Sequence, residues 1–204
     1  LFRSAGKTRL VHEFYRSLEF PPRALFLPCR ERTAHIPYQP LRDMLWKLIA
    51  SDLWKELPLE WVEPLKALMP RTNEERGSLD EAIEKSYAKS KVFEAVESIL
   101  LFFAQKENLF LFVDDVHWAD EATLSLLTFL VDGFLFKEEK LYLVITAGVG
   151  GKNPGLDRLL AHTVTENLTT VEALPLNKEN ISELAFYILQ KRISPDTSAH
   201  LLAK

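Results

Sequence analysis

A parallel α/β sheet covered by helices on both faces is the architecture this sequence predicts, and three features predict it. Apolar segments of strand length alternate with segments of helical periodicity. Two strand candidates, residues 109–113 and 141–147, are apolar almost throughout instead of alternating. The first of them, Leu109-Phe110-Leu111-Phe112-Val113, runs straight into two carboxylates, Asp114 and Asp115. Strands buried on both faces read as continuous apolar runs, which is the mark of parallel pairing beneath two helical layers. The chain has 204 residues, of which 47% are hydrophobic, enough for one core with a small appendage and too apolar for a disordered chain.

The elements follow in order. Residues 8–18 place Leu10, Val11, Phe14, Tyr15 and Leu18 at helical spacing, and Pro21 and Pro22 stop that helix. Residues 24–27 are a short apolar strand. A loop containing Pro37 leads to helical patterns over 41–53 and 59–69, interrupted by prolines at 58, 64 and 70. Ser78 and Glu81 form a capping box, behind which a long amphipathic helix runs to about Gln105. After the strand 109–113, Asp120 is the N-cap of a helix through Phe136. The strand 141–147 is followed by a loop that holds four of the chain's seven glycines, between Gly148 and Gly155. A short helix (156–162), a weak strand (169–173) and a helix over 178–192 complete the pattern.

Charge and cysteine usage restrict the partners. Lys and Arg total 25 against 29 Asp and Glu, a formal net charge of −4. A segment that grips a phosphate backbone carries a basic excess, so no direct nucleic-acid partner is expected here. The longest clean apolar run, 99–104, is far short of the roughly 20 residues that span a bilayer, and no membrane partner is expected. Cys29 is the one cysteine, which suits a reducing compartment, and no apolar stretch follows Arg3 and Lys7 to form a signal peptide. A cytoplasmic location is the expectation. No two of the five histidines stand at metal-ligand spacing, and no nucleophile elbow or Cys–His arrangement accompanies the serines.

Two motifs carry chemistry. Gly6-Lys7-Thr8, directly ahead of an amphipathic helix, is the core of a phosphate-binding loop, G-x-x-x-x-G-K-[ST]. In such a loop Lys7 reaches the terminal phosphates and the Thr8 hydroxyl ligates Mg²⁺. Leu1 stands where the first glycine belongs, and the strand that precedes such loops has no space before residue 6. Either the sequence is a fragment, or 1–3 is the end of that strand with loop residues missing between Ser4 and Gly6, and the second is the favoured expectation. The second motif is the acidic strand end, which aims Asp114 and Asp115 at the carboxyl edge of the sheet. There Asp114 would hold Mg²⁺ and Asp115 would polarise the attacking water. Taken alone each motif is matched by a bland alternative, a solvated helix start or a polar turn; their order in the chain favours the joint reading.

The stretch Asp114-Asp115-Val116-His117-Trp118-Ala119-Asp120 resembles the Walker B segment of STAND-type ATPases, relatives of AAA+ proteins, as found in large bacterial regulators and cyclase- or kinase-linked ATPases. Gly6-Lys7-Thr8-Arg9-Leu10-Val11, Ile36-Pro37-Tyr38-Gln39-Pro40-Leu41, Lys91-Val92-Phe93-Glu94-Ala95 and Leu174-Pro175-Leu176 with Glu179 support the likeness, which covers most of residues 6–190. The resemblance implies a P-loop NTPase core of five parallel strands over residues 1–176, a helical insert at about 38–77 after the second strand, and the start of a helical subdomain at 177–204. It implies ATP or ADP with Mg²⁺ as ligands, slow hydrolysis, and a conformational switch in signal transduction and transcriptional regulation. Other domains of a larger chain, and ATP-dependent assembly of like chains, are the implied partners. It places Pro175 beside the adenine and ribose, and Thr146 at the position that senses the γ-phosphate. Relatives often carry arginine soon after that strand, whereas this chain reads Thr146-Ala147-Gly148. The alternative is a degenerate module that binds nucleotide without hydrolysing it, or a pseudo-ATPase scaffold. His117 is expected to order the Walker B turn by a hydrogen bond, Trp118 to pack, and Cys29 to be a small buried side chain. The spacing of Tyr38, Trp46, Trp54 and Trp61 by eight, eight and seven would set them near one helical face as an exposed partner surface, but the prolines break that helix and the core is the favoured assignment.

Overall fold

The computed structural model describes residues 6–50, 53–66, 68, 86–134, 140–148, 153–162, 169–174, 176–190, 194 and 197. Five apolar residues in a row find burial on both sides only in an interior strand, and Leu109–Asp114 (β2) takes that position. It lies between Arg23–Pro28 (β1) and Leu141–Ile145 (β3), parallel to both. The register sets Leu27 beside Val113 and Pro28 beside Asp114 on one side, and Val113 beside Ile145 on the other. Every residue from Leu109 to Val113 is at most 3% exposed, and each such side chain contributes about 1.5–3 kcal/mol.

The alternation of side chains sorts the sheet into two faces. Leu25, Leu27, Leu109, Leu111 and Val113 join one continuous core with the helices. Phe26, Phe110 and Phe112 lie on the opposite face, where the Phe26 and Phe112 rings meet edge to face at 5.7 Å. The end of helix α1 (Lys7–Ser17) is pinned to that second face. Its Tyr15 ring stands 5.5 Å from Phe110, and the Tyr15 hydroxyl donates to the Pro22 carbonyl at 2.6 Å.

Between β1 and β2 come α2 (Gln39–Ala50), α3 (Leu59–Lys66) and α4 (Ser86–Lys106). In α2, Leu41, Leu45 and Leu48 recur at helical spacing and are at most 3% exposed, so that face enters the core. Trp61 of α3 meets Phe102 of α4 edge to face at 5.9 Å. Lys106, at the end of α4, bonds Glu56 at 2.6 Å and holds its carboxyl below the usual range. After β2, α5 (Glu121–Phe134) packs on α4 and on α6 (Pro154–His162), and α7 (Lys178–Leu189) follows, started by a reciprocal Asn177–Asn180 capping box.

The described residues therefore form a parallel sheet flanked by helices, the architecture of a P-loop NTPase core. Three strands are present among them, where the resemblance implied five. The stretch 169–173 belongs to no strand: Val171 is 74% exposed, and the segment has too few apolar side chains to bury a face. Trp46 departs from its core assignment, because it sits on the outer side of α2 at 54% exposed, while Tyr38 and Trp61 do pack inward. The side chain of Trp54, the Ser78–Glu81 capping box and Pro175 lie outside the described residues. The chain divides into two compact units, Phe14–Leu168 and, separately, Leu1–Glu13 with Thr169–Lys204.

Candidate functional site

The site in the larger unit grows out of the end of β2. Asp114 is the last residue of the strand, and its backbone is gripped on one side by β1, with Cys29 N–H donating to the Asp114 carbonyl at 2.9 Å. Asp115 breaks the strand by turning left-handed (φ 52°, ψ 47°), a conformation that a short polar residue accepts more readily than a branched one. That twist leaves the Asp115 side chain 43% exposed and starts a single 3₁₀ turn, Val116–Trp118. Val116 and Trp118 fix the turn from below: Val116 is fully buried and Trp118 packs on the core margin.

Thr146, one residue past β3, locks the two carboxylate residues together. Its hydroxyl donates to Asp114 Oδ1 at 2.6 Å and accepts the Asp115 N–H at 2.9 Å. Its backbone continues the ladder: Thr146 N–H donates to the Val113 carbonyl, and its own carbonyl accepts Val116 N–H, both at 2.9 Å. A threonine hydroxyl has one proton to give, and here Asp114 receives it. The β-branched side chain, stiff at χ1, holds that geometry.

The remainder of the turn is fastened by three further side chains. His117 Nδ1 accepts the Gly148 N–H at 2.9 Å, tying the turn to the loop after β3, which is the ordering role expected for it. Asp120 caps α5, as its position predicted, accepting Thr123 N–H at 2.9 Å and the Thr123 hydroxyl at 2.6 Å. It also accepts the Tyr38 N–H at 3.1 Å, across 82 residues of chain. Tyr38 is itself left-handed (φ 57°) and fully buried, so the loop before α2 is held to the start of α5 by this carboxylate. Three donors and a helix N-terminus compensate its burial. Sequence reasoning missed Asn153, although Asn directly before Pro154 is a helix-start signal. Its Oδ1 caps α6 by accepting Gly155 N–H at 3.1 Å, and its Nδ2 reaches the His117 carbonyl at 3.4 Å.

The carboxylates mark their surroundings electrostatically. The Cys29 thiol is buried and pushed up to about 12, first by desolvation and then by the charges of Asp120, Asp114 and Asp115. It is an inert filler at neutral pH, as expected. The Tyr38 phenol is raised to about 12 as well, by burial and by Asp120.

In the smaller unit, Gly6 stands immediately before α1. Its carbonyl accepts Leu10 N–H at 2.8 Å, and its φ of +74° is one that a side chain would strain. Lys7 and Thr8 are the first two residues of the helix, with no acidic side chain in its first turn. The positive end of the helix dipole is therefore not neutralised from within that turn, a condition that favours an anion. Among the described residues no group of three or more His, Cys, Asp or Glu could hold a metal on its own. Thr8 and Asp114 are both hard oxygen donors, the chemistry that Mg²⁺ selects. No helix among the described residues is long and apolar enough to cross a membrane.

No curated protein and no solved structure matches the chain. A family profile does, the AAA ATPase domain, over residues 3–145, from before Gly6-Lys7-Thr8 to the end of β3. The parallel sheet, the glycine-started helix and the acidic end of its middle strand all fall inside the matched region, and the chain belongs to the AAA ATPase domain family.

Proposed function

We propose that this chain is the ATP/ADP-binding module of a STAND-type signalling ATPase, a nucleotide-dependent conformational switch with slow Mg²⁺-dependent hydrolysis. Gly6, Lys7 and Thr8 bind the phosphates through backbone N–H groups, the helix dipole and the ammonium of Lys7. Thr8 and Asp114 would be the residues to hold Mg²⁺, which would neutralise phosphate charge. Asp115 orients and polarises the attacking water, for which its left-handed backbone and half-exposed carboxylate are suited. Thr146 serves as the sensor and responds to the phosphate state through Asp114, whose Oδ1 accepts its hydroxyl. Pro175 packs by the adenine and ribose. The module works in the cytoplasm, within a larger chain whose other domains read out the switch, and like chains assemble on ATP.

The observation that carries this reading is the Thr146 hydroxyl bridging Asp114 and the Asp115 N–H at the end of the middle strand, in a chain of the AAA ATPase domain family. It pre-organises two carboxylates with distinct tasks, one held and one presented, before any ligand arrives. Phosphate release from ATP, compared between the wild type and Asp115→Asn, tests it. Asparagine accepts the left-handed backbone, so the fold is kept. Turnover falling at least about a hundredfold, with nucleotide binding unchanged, is the expected result. Equal turnover in the two proteins would remove Asp115 from the chemistry.

A further inference from the structure

We propose that His117 is a positioning residue. Its neutral imidazole, with the proton on Nε2, latches the loop leaving β3 onto the turn leaving β2 at Gly148, beyond the bonds that Thr146 makes. The tautomer follows from the hydrogen bond itself. A backbone N–H can only donate, and Gly148 N–H points at Nδ1 from 2.9 Å, so Nδ1 carries a lone pair. A second observation concerns the same contact. A Cβ built at Gly148 would stand 3.0 Å from His117 Cε1 and 3.1 Å from Nε2, so the ring lies against the glycine backbone itself. Bond and close approach together make a fitted joint that no other residue at 148 would admit without moving the ring.

On the turn side the ring is held as well. It leans on Trp118 with ring centroids 5.0 Å apart, and the His117 carbonyl accepts from Asn153 Nδ2. Asp115 Oδ1 lies 4.0 Å from Nδ1. A proton on Nδ1 would draw the ring toward that carboxylate and away from Gly148. With the lone pair there instead, His117 leaves Asp115 unclaimed and spends its bond on the loop. The latch thus keeps two things in place together: the loop two residues beyond Thr146, and the exposure of the Asp115 carboxylate.

The structural part of this inference stands apart from the ATPase reading, whereas its consequence for turnover rests on it, and the experiment separates the two. Amide hydrogen exchange by NMR on the whole chain is compared for the wild type, His117→Phe and His117→Asn. Phenylalanine keeps a ring without an acceptor; asparagine keeps an acceptor on Cγ, where Nδ1 is attached. In His117→Phe, Gly148 N–H is expected to exchange about tenfold faster, as for one lost hydrogen bond, while Val116 and Thr146 N–H stay as protected as before. His117→Asn is expected to restore most of the protection. Gly148 exchanging equally fast in the wild type and His117→Phe would overturn the proposal, as would failure of asparagine to rescue. Should His117→Phe not fold, ¹⁵N-labelled histidine in the wild type decides: an unprotonated Nδ1 coupled to the Gly148 N–H upholds the latch, and a protonated Nδ1 overturns it. Where ATP turnover is measurable, His117→Phe is expected to lower kcat with KM unchanged. Absence of turnover in the wild type would count against the ATPase reading and leave the exchange result to decide the latch.

Discussion

The acidic turn after β2 and the glycine-lysine-threonine start of α1 are built on opposite plans. At the acidic turn, side chains fasten the backbone: Thr146 bridges Asp114 and Asp115, His117 takes Gly148, and Asp120 takes Tyr38 and Thr123. At the start of α1 the backbone itself is the device. Gly6 turns with positive φ, a Cβ added there would meet nothing within 4 Å, and no residue of the helix is fully buried. The difference teaches where each half gets its geometry. Asp114, Asp115 and Asp120 are held by bonds to Thr146 and Tyr38 that reach across 31 to 82 residues of chain, with Thr123 adding local ones to Asp120. The start of α1 relies on a local backbone conformation and on a helix dipole that no acidic side chain of its first turn neutralises.

Substitutions should expose that asymmetry, strongly at the acidic turn and weakly at the helix start. Asp120→Ala deletes a helix cap and strands the buried Tyr38 N–H, and is expected to cost about 3 kcal/mol in denaturant unfolding. Asp120→Asn, which keeps an accepting oxygen, should cost less than half of that. Thr146→Val removes the bridge while preserving shape, leaving Asp115 N–H and Asp114 Oδ1 without it. About 2 kcal/mol is expected, largely recovered by Thr146→Ser. At the other region Gly6→Ala meets no steric neighbour, so only its positive φ opposes it, at about 1 kcal/mol. A larger loss at Gly6 than at Asp120 would invert the comparison.

The smallest effect is alkaline. The Cys29 thiol titrates at about 12 in the folded protein against 9.0 for an ordinary thiol. Its pKa is raised by folding, so the unfolded chain loses the proton first. The stability this contributes is fully present below pH 9, falls as pH rises, and is gone by about pH 12. At pH 9.5 the loss is expected to be below about 1 kcal/mol, absent in Cys29→Ala, and visible as a flatter dependence of unfolding free energy on pH.

How much of this was legible in the sequence divides along the same line. Local signals carried well: the run from Leu109 to Val113 placed the middle strand, Asp120 read as a cap, and Gly6-Lys7-Thr8 stood at a helix start. Those features depend on neighbours within four residues. Signals that needed tertiary context did not carry. Nothing near Tyr38 announces that its N–H meets Asp120, and nothing near Gly148 announces His117. The left-handed turn at Asp115 was hidden because aspartate is no glycine and its strain is held by distant bonds. Trp46 misled because the prolines of the insert argued for the core, whereas α2 buries Leu41, Leu45 and Leu48 and leaves Trp46 on its outer side. The stretch 169–173 looked like a strand by composition, yet too little apolar surface stood behind it.

The central proposal is that this chain binds ATP or ADP with Mg²⁺, and calorimetric titration with both nucleotides, with and without the metal, tests it most directly. The account predicts binding by the wild type, weakened when Mg²⁺ is withdrawn and reduced at least about tenfold in Lys7→Ala, as for a lost charge-assisted bond. Asp114→Ala should reproduce the Mg²⁺-free affinity whether or not the metal is present. A folded wild-type protein that binds neither nucleotide, or a Lys7→Ala variant that binds as tightly as the wild type, would contradict it.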